Sequence, residues 1–177
     1  MMYFRFLTYL LADIGFNLIG YAINPALPLF ANREGNLPKW LRWFQTQDST
    51  LDGTEPRFID ATKYLRSTNG EPRNVIARYL LRVMWLYRNN AYGFAYHVLG
   101  AKTPFTIISQ DSEYPSDRFP AVEGSYMAIF TDATGKRYFH YKLVKDRGNG
   151  KCFEASVGWK PNGQFVCRWT PFRKFNG

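Results

Sequence analysis

The sequence predicts an α+β protein in which N-terminal helices pack on a C-terminal antiparallel β-meander sheet. Three observations carry that prediction. Apolar residues recur at helical spacing up to about residue 88. After residue 101 the pattern switches to alternation with a period of two. Gly-containing turns then separate short runs rich in β-branched and aromatic residues. The chain has 177 residues, 46% of them hydrophobic and 18% aromatic. That is ample core material and argues against disorder. The expected division is a hydrophobic arm over 1–32, an aromatic- and Arg-rich helical region over 33–100, and a sheet region over 101–177. Residues 33–177 are expected to form one folded unit.

The first element is a helix over Tyr3–Asn24. Pro25 and Pro28 stop it, because proline lacks the N–H and clashes with the preceding turn. From Phe6 to Ala31 the only charged residue is Asp13. Asp13, Asn17, Gly20 and Asn24 fall at spacings of four, three and four, forming one narrow polar stripe on an apolar cylinder. Asp13, Asn17 and Asn24 therefore mark a candidate membrane or partner helix. Three settings fit it: a membrane interface, a bundle with the stripe turned inward, or a buried helix whose stripe reaches solvent or polar partners in the core.

Trp40, Trp43 and Phe44 recur at helical spacing with Lys39 and Arg42 between them, as in a short helix capping a core edge. Asp48, Thr50, Asp52 and Gly53 have the spacing that opens a calcium loop. The position for its bidentate carboxylate is Ile59, however, and Pro56 interrupts the loop, so an Asx-type turn is expected instead.

The clearest helix starts at Pro72 or Asn74 and ends at Arg88, with Asn74 as its N-cap. Its circumference is mostly apolar, which predicts burial on several sides. Arg78 and Arg82 are four apart and share a face. A return turn and a strand are expected over Ala91–Leu99.

Phe105–Gln110 reads as the first strand of the sheet, and a Pro- and Asp-rich loop follows. Four more strands then alternate with turns at 133–135, 148–150 and 161–163. Phe139, Tyr141 and Leu143 should share one face, and Tyr138, His140 and Lys142 the other. With Gly158 pairing near Gln164, Ala155 sits opposite Cys167, and this register disfavours a Cys152–Cys167 disulfide.

The net charge of +9 suits nucleic acid, an anionic membrane or an acidic protein, but the basic residues are spread along the chain. Two cysteines are too few for a disulfide framework and suit a reducing compartment. The sequence contains no Gly-rich phosphate loop, nucleophile elbow or His-Glu-x-x-His motif. A His140–Cys152 pair on adjacent strands would lack a specified base and oxyanion donor. No enzyme activity, catalytic residue, cofactor or metal is expected.

Four stretches carry a resemblance: Asn24–Ala31, Leu37–Gly53, the Trp85–Phe94 box WLYRNNAYGF, and Gly158–Lys160. Together they resemble an uncharacterised family of small tailed-bacteriophage proteins. Asn89-Asn90 stands here where the resemblance implies Asn-Pro. It implies a phage-encoded protein acting in the bacterial host cytoplasm, at its inner membrane, or in the virion. The expectation is an accessory protein that acts by binding, inhibiting or redirecting a host defence protein. Trp40, Trp43, Arg78, Arg82, Tyr87, Arg88 and Tyr92 are the candidate interaction surface, because exposed aromatics interleaved with arginine make hot spots. A virion structural component, an inner-membrane-associated protein and a basic nucleic-acid-binding protein are the alternatives.

Overall fold

A computed structural model describes residues 1–112 and 123–174. Most of the predicted Pro- and Asp-rich loop lies outside the described residues. In chain order the structure contains helix α1 (Met2–Ile23), 3-10 turns at Leu27–Phe30 and Lys39–Phe44, α2 (Pro56–Ala61), a 3-10 turn at Lys63–Leu65, α3 (Val75–Arg88) and α4 (Tyr92–His97). Strands β1 (Thr106–Gln110), β2 (Gly124–Thr131), β3 (Arg137–Asp146), β4 (Lys151–Trp159) and β5 (Phe165–Lys174) follow. Among the described residues these strands form one antiparallel sheet in the order β1-β2-β3-β4-β5. The protein is therefore α+β, with N-terminal helices and a C-terminal meander.

The chain divides into two compact units. One is Met1–Leu10 with Leu99–Gly177, the other Leu11–Val98. The first 32 residues are thus not a free arm: α1 gives its start to the sheet unit and the rest to the helical unit.

In the sheet unit an aromatic cluster surrounds Trp159, which is fully buried. Phe6 of α1 lies 5.2 Å from Phe139, 6.1 Å from Trp159 and 5.5 Å from Phe165, ring centre to ring centre. Such pairs add to the large apolar area these rings remove from water. The Trp159 indole N–H donates to the Leu99 carbonyl at 2.9 Å, so its polar handle is satisfied. Gly158 has φ +111°, and a Cβ there would collide with the Phe139 carbonyl. Only glycine fits.

The other sheet face departs from a simple apolar core. His140, Lys142, Glu154 and Ser156 are buried. His140 Nε2 lies 2.9 Å from Ser156 Oγ. Glu154 is held between Arg168, at 2.8 Å, and Arg173. A buried carboxylate needs this pairing, because its desolvation cost exceeds what one loose contact returns. The register places His140 opposite Gly158 and Cys152 opposite Asp146. The two residues are six positions apart along the ladder, so a His140–Cys152 pair is ruled out. Ala155 pairs with Trp169 and Val157 with Cys167, two residues off the predicted register. Cys152 aligns with Arg173, and no disulfide joins the cysteines.

In the helical unit the core gathers Leu27, Leu37, Leu41, Phe44, Leu51, Phe58, Leu81, Trp85 and Leu86. Asn74 caps α3, its Oδ1 accepting from the Ala77 amide at 2.8 Å. Arg82 is only 7% exposed. It makes a two-pronged contact with Asp52, at 2.7 and 3.0 Å, and reaches the carbonyls of Asn32 and Arg33. The Asp48–Gly53 segment is thus a structural turn whose carboxylate Asp52 is committed to arginine. Gln45 clasps the same segment, donating to Ser49 O and Asn36 Oδ1 while accepting from the Leu37 amide.

Two helical expectations fail. The residues after Ala91 form α4 rather than a strand, because Ala91 turns left-handed (φ 52°) and Gly93 seats against the Arg42 and Gln45 carbonyls. The face of α3 bearing Ile76, Leu80, Met84 and Tyr87 is exposed, so that helix is not buried on several sides.

The β2–β3 turn yields a test. Asp132 accepts from the Thr134 hydroxyl and amide, the Lys136 amide and the Tyr138 hydroxyl. Led by the Thr134 hydroxyl, these bonds hold its carboxyl down at about 2. The stabilisation is complete above the ordinary carboxyl pKa of 3.8 and is lost as pH falls through about 2. Asp132→Asn should melt lower than wild type at pH 7, and the gap in Tm should close between pH 4 and pH 2. A gap that is constant across this range would show that the charge is immaterial.

Candidate functional site

The polar stripe of α1 turns inward onto a single side chain. Asn90, just beyond α3, donates through its Nδ2 to the Asn17 carbonyl and Asn17 Oδ1, both at 2.9 Å. Its Oδ1 accepts from Asn24 Nδ2 at 3.0 Å. Gly20 lies against the Asn90 amide, where any Cβ would collide with it. Two tyrosines of α3 secure carbonyls at the end of α1: Tyr79 donates to Pro25 O at 2.7 Å and Tyr87 to Tyr21 O at 3.2 Å. Helix ends carry such orphan carbonyls, and each needs a donor. On the same side Phe16 stacks on Phe44 and Phe94, at 4.6 and 3.9 Å.

Opposite its polar side, α1 presents apolar residues outward. Phe4, Leu7, Leu11, Ile14 and Leu18 are exposed at spacings of three and four, Leu11 by 71% and Leu18 by 66%. They form one stripe along the helix. This inverts the usual amphipathic arrangement, in which polar groups face water. By length and composition α1 could cross a membrane, and only 11% of its most apolar stretch is buried. The segment after it carries further exposed apolar rings, with Phe30 edge-on to Trp40 at 5.9 Å and Lys39 and Arg42 exposed nearby in sequence.

The other predicted surface residues are not gathered on one face. Trp40 is exposed, while Trp43 is half-exposed and leans edge-on toward Phe16 and Phe94. Arg78 is exposed. Arg82 is a correction: it lies inside, held by Asp52, and offers nothing to a partner. Tyr87 stacks on Tyr21 at 6.0 Å. Arg88 is paired with Glu55, and Tyr92 is half-buried. The residue that sequence reasoning missed is Asn90. Its position in the box of resemblance was visible, but its role as receiver of the stripe was not.

A cleft of about 420 Å³ in the helical unit is lined by Asn36, Arg42, Gln45, Asp48, Ser49 and His97, among others. Gln45 and Ser49 are already engaged in holding the loop. Among the described residues no group of three or more His, Cys, Asp or Glu side chains is placed to hold a metal ion.

The sequence matches, over residues 1–175, a family described as a family of unknown function (DUF7338). No curated protein and no solved structure matches the chain.

Asp13, beside the seam, is the site's titratable group. Burial raises its carboxyl from 3.8 to about 6, against a smaller opposing effect of the Asn17 side chain. A raised acid favours the folded state when protonated. That contribution is full below pH 3.8 and is lost as pH rises through about 6. Asp13→Asn should therefore stabilise the protein at pH 7.4 by about 1 kcal/mol, after allowance for solvent screening. At pH 3.5 it should change little. Thermal melts at the two pH values check this, and equal shifts at both would refute the burial argument.

Proposed function

Because the chain belongs to the DUF7338 family, whose function is unknown, its role is read from its own surfaces, and we propose that it is a phage accessory protein that docks on a membrane surface and acts there by binding protein. One observation carries the reading: α1 buries its polar stripe and turns its apolar stripe outward. Contiguous apolar surface of this kind is a contact site for something apolar. The inner side of the helix is packed, through Phe6 within the sheet unit and through Phe16 and Gly20 within the helical unit. A helix held along one side cannot be ringed by lipid. It therefore lies in the interface with its outer side immersed, rather than spanning. Phe30 and Trp40 suit the same depth, where amphipathic rings settle, and Lys39 and Arg42 suit anionic headgroups.

The test is flotation of the purified full-length chain with vesicles of phosphatidylcholine and phosphatidylglycerol. Wild type should rise with the vesicles and resist a high-salt wash. The double substitution Leu11→Glu and Leu18→Glu, at exposed positions, should stay at the bottom while keeping the wild-type circular dichroism. Wild type that stays at the bottom and elutes as a dimer, disrupted by the same substitutions, would mean that the stripe seats a second copy instead.

The protein-binding part of the reading rests on α3. Ile76, Leu80, Met84 and Tyr87 are exposed at spacings of four, four and three, which makes one helical face. Tyr64 reaches Met84 at 3.8 Å, extending that face. Ile76→Glu with Leu80→Glu should abolish recovery of a stoichiometric host protein in affinity purification while leaving flotation intact. If the same partner returns at the same amount, α3 is not the binding face.

A further inference from the structure

The outer edge of the sheet carries a second surface, of different chemistry. Trp169 and Phe172 on β5 are each 66% exposed. In a regular strand, residues three apart point to opposite faces. Here the register slips: Glu154 pairs with Thr170, whereas Cys152 pairs with Arg173. Two steps on β4 are met by three on β5, and this bulge absorbs the odd residue around Pro171. Trp169 and Phe172 thereby come to the face that Phe153 also occupies. Phe153 is edge-on to Trp169 at 6.2 Å.

Cations sit over two of these rings, Phe153 and Phe172. The Arg147 guanidinium is 5.7 Å from the ring centres of both Phe153 and Phe172, and the Lys151 ammonium is 5.9 Å from Phe172. Both cations are exposed, Arg147 on the turn between β3 and β4 and Lys151 at the start of β4, beside exposed Lys145. Among the described residues neither Arg147 nor Lys151 forms a salt bridge, and the Glu123 carboxylate at this turn accepts from the Asp146 amide at 3.3 Å. Glu154 faces the other way, committed to Arg168 and Arg173. Asp146 accepts from the Gly148 amide at 2.8 Å, within the turn itself.

We infer that this edge binds single-stranded nucleic acid, with bases stacked on Trp169 and Phe172 and phosphates held by Lys145, Arg147 and Lys151. Open aromatic faces interleaved with unneutralised cations are what a flexible polyanion of flat bases requires. A duplex hides its base faces and could use only the cations. An acidic protein would likewise use the charges and leave the rings idle. The α1 stripe belongs to neither contact, so this inference stands independently of the membrane reading.

The test is fluorescence anisotropy of labelled oligo(dT) titrated with the full chain, with duplex DNA, polyglutamate and phosphatidylglycerol vesicles as competitors. The expected result is saturable binding that weakens steeply with salt and is displaced poorly by duplex and polyglutamate. Trp169→Ala and Phe172→Ala should each weaken it about tenfold. Arg147→Glu with Lys151→Glu should weaken it more and flatten the salt dependence. None of these substitutions should alter flotation. Absence of binding, equal affinity for duplex, or alanine variants that bind like wild type would overturn the inference. So would vesicles that displace the oligonucleotide from wild type while Trp169→Ala loses flotation, since the edge would then be a lipid contact.

Discussion

The seam between α1 and Asn90 decides what the helix can do with the rest of its surface. Asn17 and Asn24 offer amide groups that cost free energy if buried without partners. One side chain answers both, and it can do so only because Gly20 leaves room for it. Each such bond returns about 1 kcal/mol net, and leaving either amide unmet would cost more than the bond returns. Orientation follows from that asymmetry. Once the stripe is fixed inward, the period of the helix turns Leu11, Ile14 and Leu18 outward. The apolar exterior is therefore a consequence of turning these amides inward, where Asn90 meets Asn17 Oδ1 and Asn24 Nδ2.

Arginine shows a comparable division of labour. Arg66 is buried and spends its guanidinium on Thr62 Oγ1 and on the carbonyls of Gly70, Asp52 and Gly53. Arg82 is spent on Asp52, and Arg168 and Arg173 on Glu154. A net charge of +9 overstates what the surface offers, because part of the basic complement holds turns and strands together. This is why diffuse basicity in a sequence is a weak guide to a polyanion partner. What matters is which cations stay uncommitted, and where aromatic rings accompany them.

Much of the fold was legible because periodicity is local. The ends of α1, the Asn74 cap and the alternating strands follow from residues within a few positions of one another. The site was less legible because it depends on separation in sequence. Asn90 lies 66 residues from Asn24 and is read by no helical period. Arg82 looked like a surface residue because its helix carries arginine four residues earlier, and only the return of Asp52 from a distant turn makes it interior. The strand expected over Ala91–Leu99 failed for a related reason. Its aromatic residues suit either state, and the decision rests with Gly93, which must approach the backbone at Arg42 and Gln45. The predicted cysteine register missed by two residues, which keeps each side chain on its expected face.

The two exposed aromatic surfaces differ in a way that bears on their partners. Along α1 the outward stripe is aliphatic apart from Phe4, and the helix's one acid is half-buried. Such a surface discriminates by water exclusion alone, which is the chemistry of lipid or of another apolar face. At the β5 edge every exposed ring has a cation or another ring within about 6 Å, and a bulge re-aims one strand to put them together. Water exclusion needs no such arrangement. A strand that accepts a proline and a slipped register at its edge gives up ladder hydrogen bonds, and the return is alignment of rings with charge. That alignment recognises a ligand presenting flat apolar faces at intervals along an anionic chain. It would be wasted on a bilayer, whose headgroups ask only for the cations and whose tails ask only for the rings.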